Sequence, residues 1–281
     1  MVFEVIAPLL VVAVLLGALA WLWGQPLATE LRRARIRRQP FPRAWREVLQ
    51  RRWTGWQQLP ADLQLQVKKH IQVLLAEKPF IGCQGLVLTD EMRVLIAAQA
   101  SLLLLNRRAG YFRNLRQVLV YPGTFVVDRA VTEGGVVRDE RRALAGESWQ
   151  QGQLILSWAD VLQGAATADD GRNVVIHEFA HQLDQEAGSA NGAPPLGSRS
   201  LRIRWAAVMA AEFERLQLRV SAGEGAGDGG LIDPYAATSA AEFFAVVSEV
   251  FFERPGALAA AHPALFREFA QYYATNPLYW R

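Results

Sequence analysis

His177, Glu178 and His181 stand in the run His177-Glu178-Phe179-Ala180-His181, the pattern H-E-x-x-H. On a helix, positions i and i+4 lie one above the other on the same face. Two imidazole nitrogens can then be offered to one ion, and tetrahedral zinc accepts them at about 2.0–2.1 Å each. Glu178 falls about 100° round that helix. It is poorly placed as a further ligand and well placed to take a proton from a water beside the ion, which makes it the candidate general base. The pattern is selective, because at average composition a histidine is followed by Glu and then by His at +4 about once in a thousand cases. A pair of merely structural histidines is the bland alternative. It would leave two imidazoles and a carboxylate beside Val174, Val175 and Ile176, which is costly unless they are paired.

A catalytic zinc takes three protein ligands and keeps one position open. The third is sought among the downstream Asp, Glu and His residues. His262 precedes Pro263 at a helix start, where a capping or surface role fits. Asp184 lies three residues beyond His181 and reads as the group that holds an imidazole in its tautomer. Glu242 opens an aromatic, otherwise apolar helix, Glu242-Phe243-Phe244-Ala245, where an unpaired buried carboxylate is disfavoured. A first-turn glutamate complementing the helix dipole is its alternative. His70 lies among lysines and reads as solvated.

The elements that must position these groups follow from periodicity. Trp45, Leu49, Trp53 and Trp56 recur at three- and four-residue steps, an amphipathic helix that packs into a core or, alternatively, touches a membrane surface. Asp62 to Lys78 is helical, with Leu63, Val67, Ile71 and Leu74 on one face and Pro79 as its stop. Thr89 to Leu105 is a third helix with Thr89 and Asp90 as caps. The period then changes. Val118 to Tyr121, Thr124 to Val127 and Leu154 to Trp158 read as strands. The last is expected at a sheet edge, where it could pair with an extended peptide. A helical block resumes at about Asp169, with aspartate caps, and carries the histidine motif. Leu201 to Val220, Ser239 to Arg254 and His262 to Ala274 are further helices, and the glycine-rich Ser221 to Gly230 reads as a flexible surface insertion. Helices, a few strands, then helices predict an α+β fold rather than a doubly wound one.

Composition narrows the classes. The single cysteine, Cys83, excludes a disulfide framework, a zinc ribbon and a cysteine-ligated iron–sulfur cluster. No P-loop pattern occurs, and the one G-x-G-x-x-G match, Gly225 to Gly230, lies in a glycine-rich loop with no strand before it, so nucleotide binding has no support. The net charge of +3 is local: nine arginines fall between Arg32 and Arg52. No folded basic face with stacking aromatics accompanies them, so no nucleic acid is expected as a partner. In front of them, Val5 to Trp23 is an uncharged run of 19 residues, long enough for roughly 28 Å of helix. A cleaved signal peptide is the alternative, but it wants positive charge before the apolar stretch, where only Glu4 stands. The expectation is a transmembrane anchor over residues 1–29, touching lipid through 5–23. A basic juxtamembrane segment over 30–60 and a metallopeptidase domain over 61–281 follow. The arginines would hold that domain on the cytoplasmic side of the inner membrane.

The stretch His177-Glu178-Phe179-Ala180-His181-Gln182-Leu183-Asp184, with Tyr235 and then Glu242-Phe243-Phe244-Ala245, resembles the Mlc titration factor A family of zinc peptidases. That family is itself similar to the catalytic domain of anthrax lethal factor. The resemblance covers about residues 60 to 280 and extends to Gly152–Trp158 and to Glu249–Pro255. It implies a zincin-like domain with one zinc per chain, held by His177, His181 and Glu242. Glu242 stands seven residues after a tyrosine, as in the family pattern. The resemblance also implies that Glu178 acts as general base and that Tyr235 donates its hydroxyl to the developing oxyanion. The implied activity is hydrolysis of peptide or protein substrates, aminopeptidase-like, and the implied partner is a transcriptional repressor. A binding protein that captures a regulator through a zinc-stiffened fold, without catalysis, is the rival reading. Only the peptidase needs Glu178.

Overall fold

The computed structural model describes residues 24–107, 110–123, 125–133, 136–144, 146–149, 152–223 and 230–280. The chain divides into two compact units, residues 1–40 and 41–281. In the first, residues 24–37 form a helix (α1) in which Glu30 pairs with Arg33 and Arg37 at 3.1 and 3.6 Å. Arg32, Arg33, Arg35 and Arg37 all lie on α1, and such charges exclude a helix from hydrocarbon. Among the described residues no helix is long and apolar enough to cross a membrane. This overturns the expected single-pass inner-membrane location. The run 5–23 that carried that expectation lies outside the described residues.

The second unit begins with α2 (Arg43–Arg52), a 3-10 turn (Thr54–Gln58) and α3 (Ala61–Glu77). Leu49, Trp53 and Trp56 are buried, so the aromatic stripe packs into the protein interior. In α3 every residue from His70 to Leu74 is buried. His70 is therefore not solvated as the lysines around it suggested: the segment after α4 folds over it and places the Tyr111 hydroxyl 3.0 Å from His70 Nδ1.

A four-stranded sheet follows, built from β1 (Phe80–Gly82), β2 (Gln117–Tyr121), β5 (Gly146–Trp149) and β6 (Gln153–Ser157). Helix α4 (Asp90–Ser101), capped by Thr89, connects β1 to β2, while β3 (Phe125–Glu133) and β4 (Val136–Leu144) form a separate antiparallel hairpin. The sheet order is β1-β2-β6-β5. The first three strands run parallel, with Phe80 opposite Val118 and Val118 opposite Leu154, and β5 returns antiparallel with Gly146 opposite Leu156. The run Leu154-Ile155-Leu156 is buried throughout, as expected of a strand covered on both faces. It is thus an inner strand, and the edge expected there belongs to β5.

The remaining elements are helices: α5 (Trp158–Ala166), α6 (Val174–Asp184), α7 (Arg199–Ser221), α8 (Ala240–Glu253), α9 (Pro255–Ala261) and α10 (Pro263–Tyr273). Helix α6, which carries the histidine motif, packs on α8, α4, α5 and strands β5 and β6. One side of α8 joins an aromatic cluster in which Trp205 stacks on Phe269 at 5.2 Å and Phe251 on Tyr273 at 5.6 Å. Other turns of α8 carry Glu242, Glu249 and Glu253. Spacings of 7 and 11 residues rotate by 700° and 1100°, so all three lie within about 20° of one line along the helix. The α+β expectation therefore holds at the level of a mixed fold with a small sheet, and the carboxylate stripe of α8 is what that fold sets against α6.

Candidate metal centre

Helix α6 starts later than its sequence suggested. Gly171 adopts φ +82°, a conformation natural to glycine, and breaks the run after Asp169 and Asp170. Asn173 then caps the helix, its Oδ1 accepting from Ile176 N at 3.1 Å. The free backbone N–H groups of this lead-in go to the carboxylates of α8. Gly171 N and Arg172 N each donate to Glu253 Oε2 at 3.1 Å, and Asn173 N donates to Glu249 Oε2 at 2.5 Å. The Asn173 amide also donates to Glu253 Oε1 at 3.0 Å and to Gln99 Oε1 at 2.9 Å. The two helices are thus locked in register by bonds that are themselves buried or half-buried.

That register brings His177, His181 and Glu242 together. The two imidazole Nε2 atoms are 3.2 Å apart, and Glu242 Oε2 lies 3.1 Å from the first and 3.4 Å from the second. These three residues could hold a metal ion. The fit to zinc can be tested by geometry. A tetrahedral ion with bonds of about 2.0–2.1 Å separates its ligand atoms by about 3.3 Å. The three observed separations bracket that value. Glu242 Oε2 is buried yet makes no hydrogen bond, although two nitrogens lie within 3.4 Å. The three ligand atoms lie close enough together to share one ion. A carboxylate oxygen can only accept, so the contact of 2.7 Å between His177 Nδ1 and Glu249 Oε1 puts the proton on Nδ1 and leaves the Nε2 lone pair facing that point.

The electrostatics agree. Burial pushes the Glu242 carboxyl up, but the imidazoles of His177 and His181 reverse this and hold it well below the usual carboxylate range. Burial pulls His177 down, and the carboxylates of Glu249, Glu242 and Glu178 together hold it well above its ordinary value. Each group calls for a positive charge at the same place. Glu178 is buried beside His177, as its position on the helix requires. Tyr235 sits in a 3-10 turn (Pro234–Thr238) just before α8, its ring 6.3 Å from the His177 imidazole and its side chain partly open to solvent. An ion pair at 2.8 Å between Asp233 and Arg172 ties that turn to the lead-in of α6.

The other histidines and Asp184 lie elsewhere. His262 Nδ1 is 2.7 Å from Glu212 Oε2 and joins α7 to the start of α10. Asp184 is fully buried, but its Oδ2 accepts from Gly192 N at 2.7 Å, so it fixes the loop after α6 rather than an imidazole. Gly192 has φ +76°, and a Cβ there would meet Ala240 O at 2.5 Å, so this loop abuts the very start of α8. Glu249 takes the orienting role expected of Asp184. The signal was present in the seven-residue step from Glu242, two turns along one face.

The glucose-regulated metallo-peptidase M90 family model matches residues 28–274. An uncharacterized protein of Synechocystis sp. is 39% identical over 271 residues, covering 96% of this chain and 97% of its own length. Mlc titration factor A of Serratia proteamaculans is 38% identical over 208 residues, covering 73% of this chain and 77% of its own length. Mlc titration factor A of Yersinia pestis is 34% identical over 207 residues, covering 73% and 75%. With the family model spanning nearly all of the second unit and the His177, His181 and Glu242 group at its centre, the chain belongs to the glucose-regulated metallo-peptidase M90 family.

Proposed function

We propose that this chain is a zinc-dependent peptidase that uses His177, His181 and Glu242 to hold one zinc ion. The observation that carries the reading is the triangle of donor atoms at 3.1, 3.2 and 3.4 Å. A zinc ion held there would supply a Lewis acid that polarises the scissile carbonyl and activates a water. Glu178, beside His177 and shielded from solvent, takes the proton of the attacking water and returns it to the leaving amine. Tyr235, beside the His177 ring, donates its hydroxyl to the oxygen that gains charge. Strand β5 pairs with β6 on one side and packs on α6, which supports it as the edge to which an extended peptide adds. The resemblance read from the sequence favours removal of N-terminal residues.

The relatives' name, Mlc titration factor A, supports a second reading in which the chain captures a transcriptional regulator of that kind. One experiment separates the two. A peptide library with free and blocked N-termini is digested by the wild type and by Glu178→Gln, with zinc measured in both. Peptidase function requires hydrolysis by the wild type, a loss of at least about 100-fold in Glu178→Gln, and zinc in both proteins. Equal hydrolysis by both removes the general-base role.

A further inference from the structure

Beyond the metal ligands, α6 ends at an open cleft. Gln185 follows His181 by one turn, its N–H donating to His181 O, so its backbone lies about 6 Å along the axis from that residue. Gln185, Gly188, Gly152, Arg113, Asn114 and Arg116 line a cleft of about 670 Å³, within the roughly 300–1,000 Å³ of ligand sites. Gly152 stands in the turn between β5 and β6, just beyond the Trp149–Gln153 pair, so the cleft also meets the end of edge strand β5. The segment that carries the two arginines is firmly held. Tyr111 and Phe112 are buried and have left-handed backbones, φ +53° and +52°, a conformation that persists in such residues only where the surroundings impose it. Here Lys78 Nζ donates to Phe112 O at 2.7 Å and to Leu115 O at 2.8 Å, and the Phe112 ring meets Phe179 of the histidine motif at 4.7 Å. Asn114 Nδ2 donates to Gln185 O at 3.1 Å, and Arg116 N donates to Gly152 O at 2.7 Å. The arginines are thus tied to the end of α6 and to the β5–β6 turn together. Glu186 accepts from Arg113 N at 3.2 Å, but its carboxylate is 3.8 Å from the exposed Arg113 guanidinium. Among the described residues no carboxylate pairs with Arg116. Two guanidinium groups against one carboxylate leave the cleft with a net positive charge.

We propose that this cleft is a substrate subsite that receives a peptide carboxylate about two residues from the scissile bond, with Arg113 and Arg116 as its cationic partners. The carboxylate comes from an acidic side chain or from the C-terminus of a short peptide. The inference rests on the peptidase reading above. The spacing follows from strand geometry: a peptide along β5 advances about 3.3 Å per residue. With its reacting bond at the His177, His181 and Glu242 group, it covers about 6 Å in two residues and reaches the cleft. The chemistry follows from the guanidinium, whose paired N–H groups match the two oxygens of a carboxylate. A lysine or arginine of the substrate would meet like charge there. No aromatic side chain lines the cleft, so it lacks the stacking platform that a single-stranded nucleic acid requires. Both arginines are exposed, so solvent screens them and the preference they confer is about 3- to 10-fold.

The test is calorimetric titration of the full chain carrying Glu178→Gln, loaded with zinc, so that binding is read without hydrolysis. The probes are alanine-rich hexapeptides with a free N-terminus and an amidated C-terminus, carrying Glu or Gln at each position in turn. A second set leaves the C-terminus of the Gln peptides free. Glu should bind about 3- to 10-fold tighter than Gln at one position, which assigns the subsite to an acidic side chain. The same gain from a free C-terminus, without a positional effect of Glu, assigns it to the terminal carboxylate. Adding Arg113→Gln and Arg116→Gln, with the fold checked by circular dichroism, should bring either preference within about twofold. The proposal is overturned if neither set shows a preference, or if the preference survives undiminished without the two arginines, as it would for a carboxylate held by the metal. Hydrolysis of the same peptides by the wild type keeps the two readings apart. If neutral peptides bind and are cut with no preference for a carboxylate, the subsite fails alone. If the arginine-dependent preference is present and no peptide is cut, the peptidase reading fails and the cleft stands as a carboxylate-binding site.

Discussion

Replacement of Glu249 tests how the metal centre is aimed. Its carboxylate serves two buried donors at once, His177 Nδ1 at 2.7 Å through Oε1 and Asn173 N at 2.5 Å through Oε2. Glu249→Ala strands both. At about 1–3 kcal/mol per unsatisfied buried donor, the cost in stability is about 2–6 kcal/mol. Glu249→Gln is the sharper variant, since a primary amide has one acceptor and one donor end. If its oxygen faces Asn173 N, its NH₂ faces His177 Nδ1 and requires a lone pair there. The proton then moves to Nε2, where a metal ion would sit. If the amide is flipped, its NH₂ opposes Asn173 N and the lead-in of α6 loses its anchor. Either arrangement weakens zinc, by about 10- to 100-fold as for other groups that orient a ligand imidazole, or about 1.4–2.7 kcal/mol. Competition titration of the apo-protein against a chelator measures this, and circular dichroism confirms that Glu249→Gln is folded. Wild-type zinc affinity in folded Glu249→Gln would refute the claim that Glu249 sets the tautomer of His177.

Two further outcomes follow from the same interface. Burial, together with nearby Asp170, raises Glu253 to about 9, although the Asn173 amide opposes the shift. A carboxyl raised above its unfolded value of about 4.5 favours the fold fully below that value and loses the contribution as pH rises through about 9. Wild-type stability in urea should therefore fall from pH 6 to pH 9. Glu253→Gln, a neutral isostere, should remain folded at pH 6 and show a smaller fall; an equal fall in both contradicts the assignment. In Gly192→Ala a methyl group would meet the Ala240 carbonyl at 2.5 Å on a backbone of φ +76°. A loss of about 1–3 kcal/mol is expected, with weaker zinc binding because Ala240 is two residues from Glu242. Unchanged unfolding and zinc titration curves would contradict it.

Much of the site was legible because helical geometry is local. His177, Glu178 and His181 needed only the i, i+4 rule, and Tyr235 and Glu242 were reached through a family pattern of fixed spacing. The register between α6 and α8 was less legible, since it depends on backbone N–H groups of Gly171, Arg172 and Asn173 that carry no signature in residue type. Misplacing the start of α6 at Asp169 hid the fact that these groups were free to bind Glu249 and Glu253. Asp184 and His70 show the same limit. Each was judged by its neighbours in sequence, whereas a distant loop decided its surroundings: Gly192 for Asp184 and Tyr111 for His70. The sheet was half visible. Continuous apolar runs marked β2 and β6, but a run buried on both faces belongs inside a sheet, and the short edge strand β5 has no apolar run to announce it.

Zinc K-edge absorption of the full chain, beside its Glu242→Ala variant, tests the metal centre most directly. One zinc per chain is expected, with two imidazole nitrogens and a carboxylate oxygen at about 2.0–2.2 Å, and Glu242→Ala should lose most of the metal while remaining folded. A wild-type chain that takes up no zinc, or a Glu242→Ala variant that keeps it in an unchanged coordination shell, would contradict the assignment of this centre.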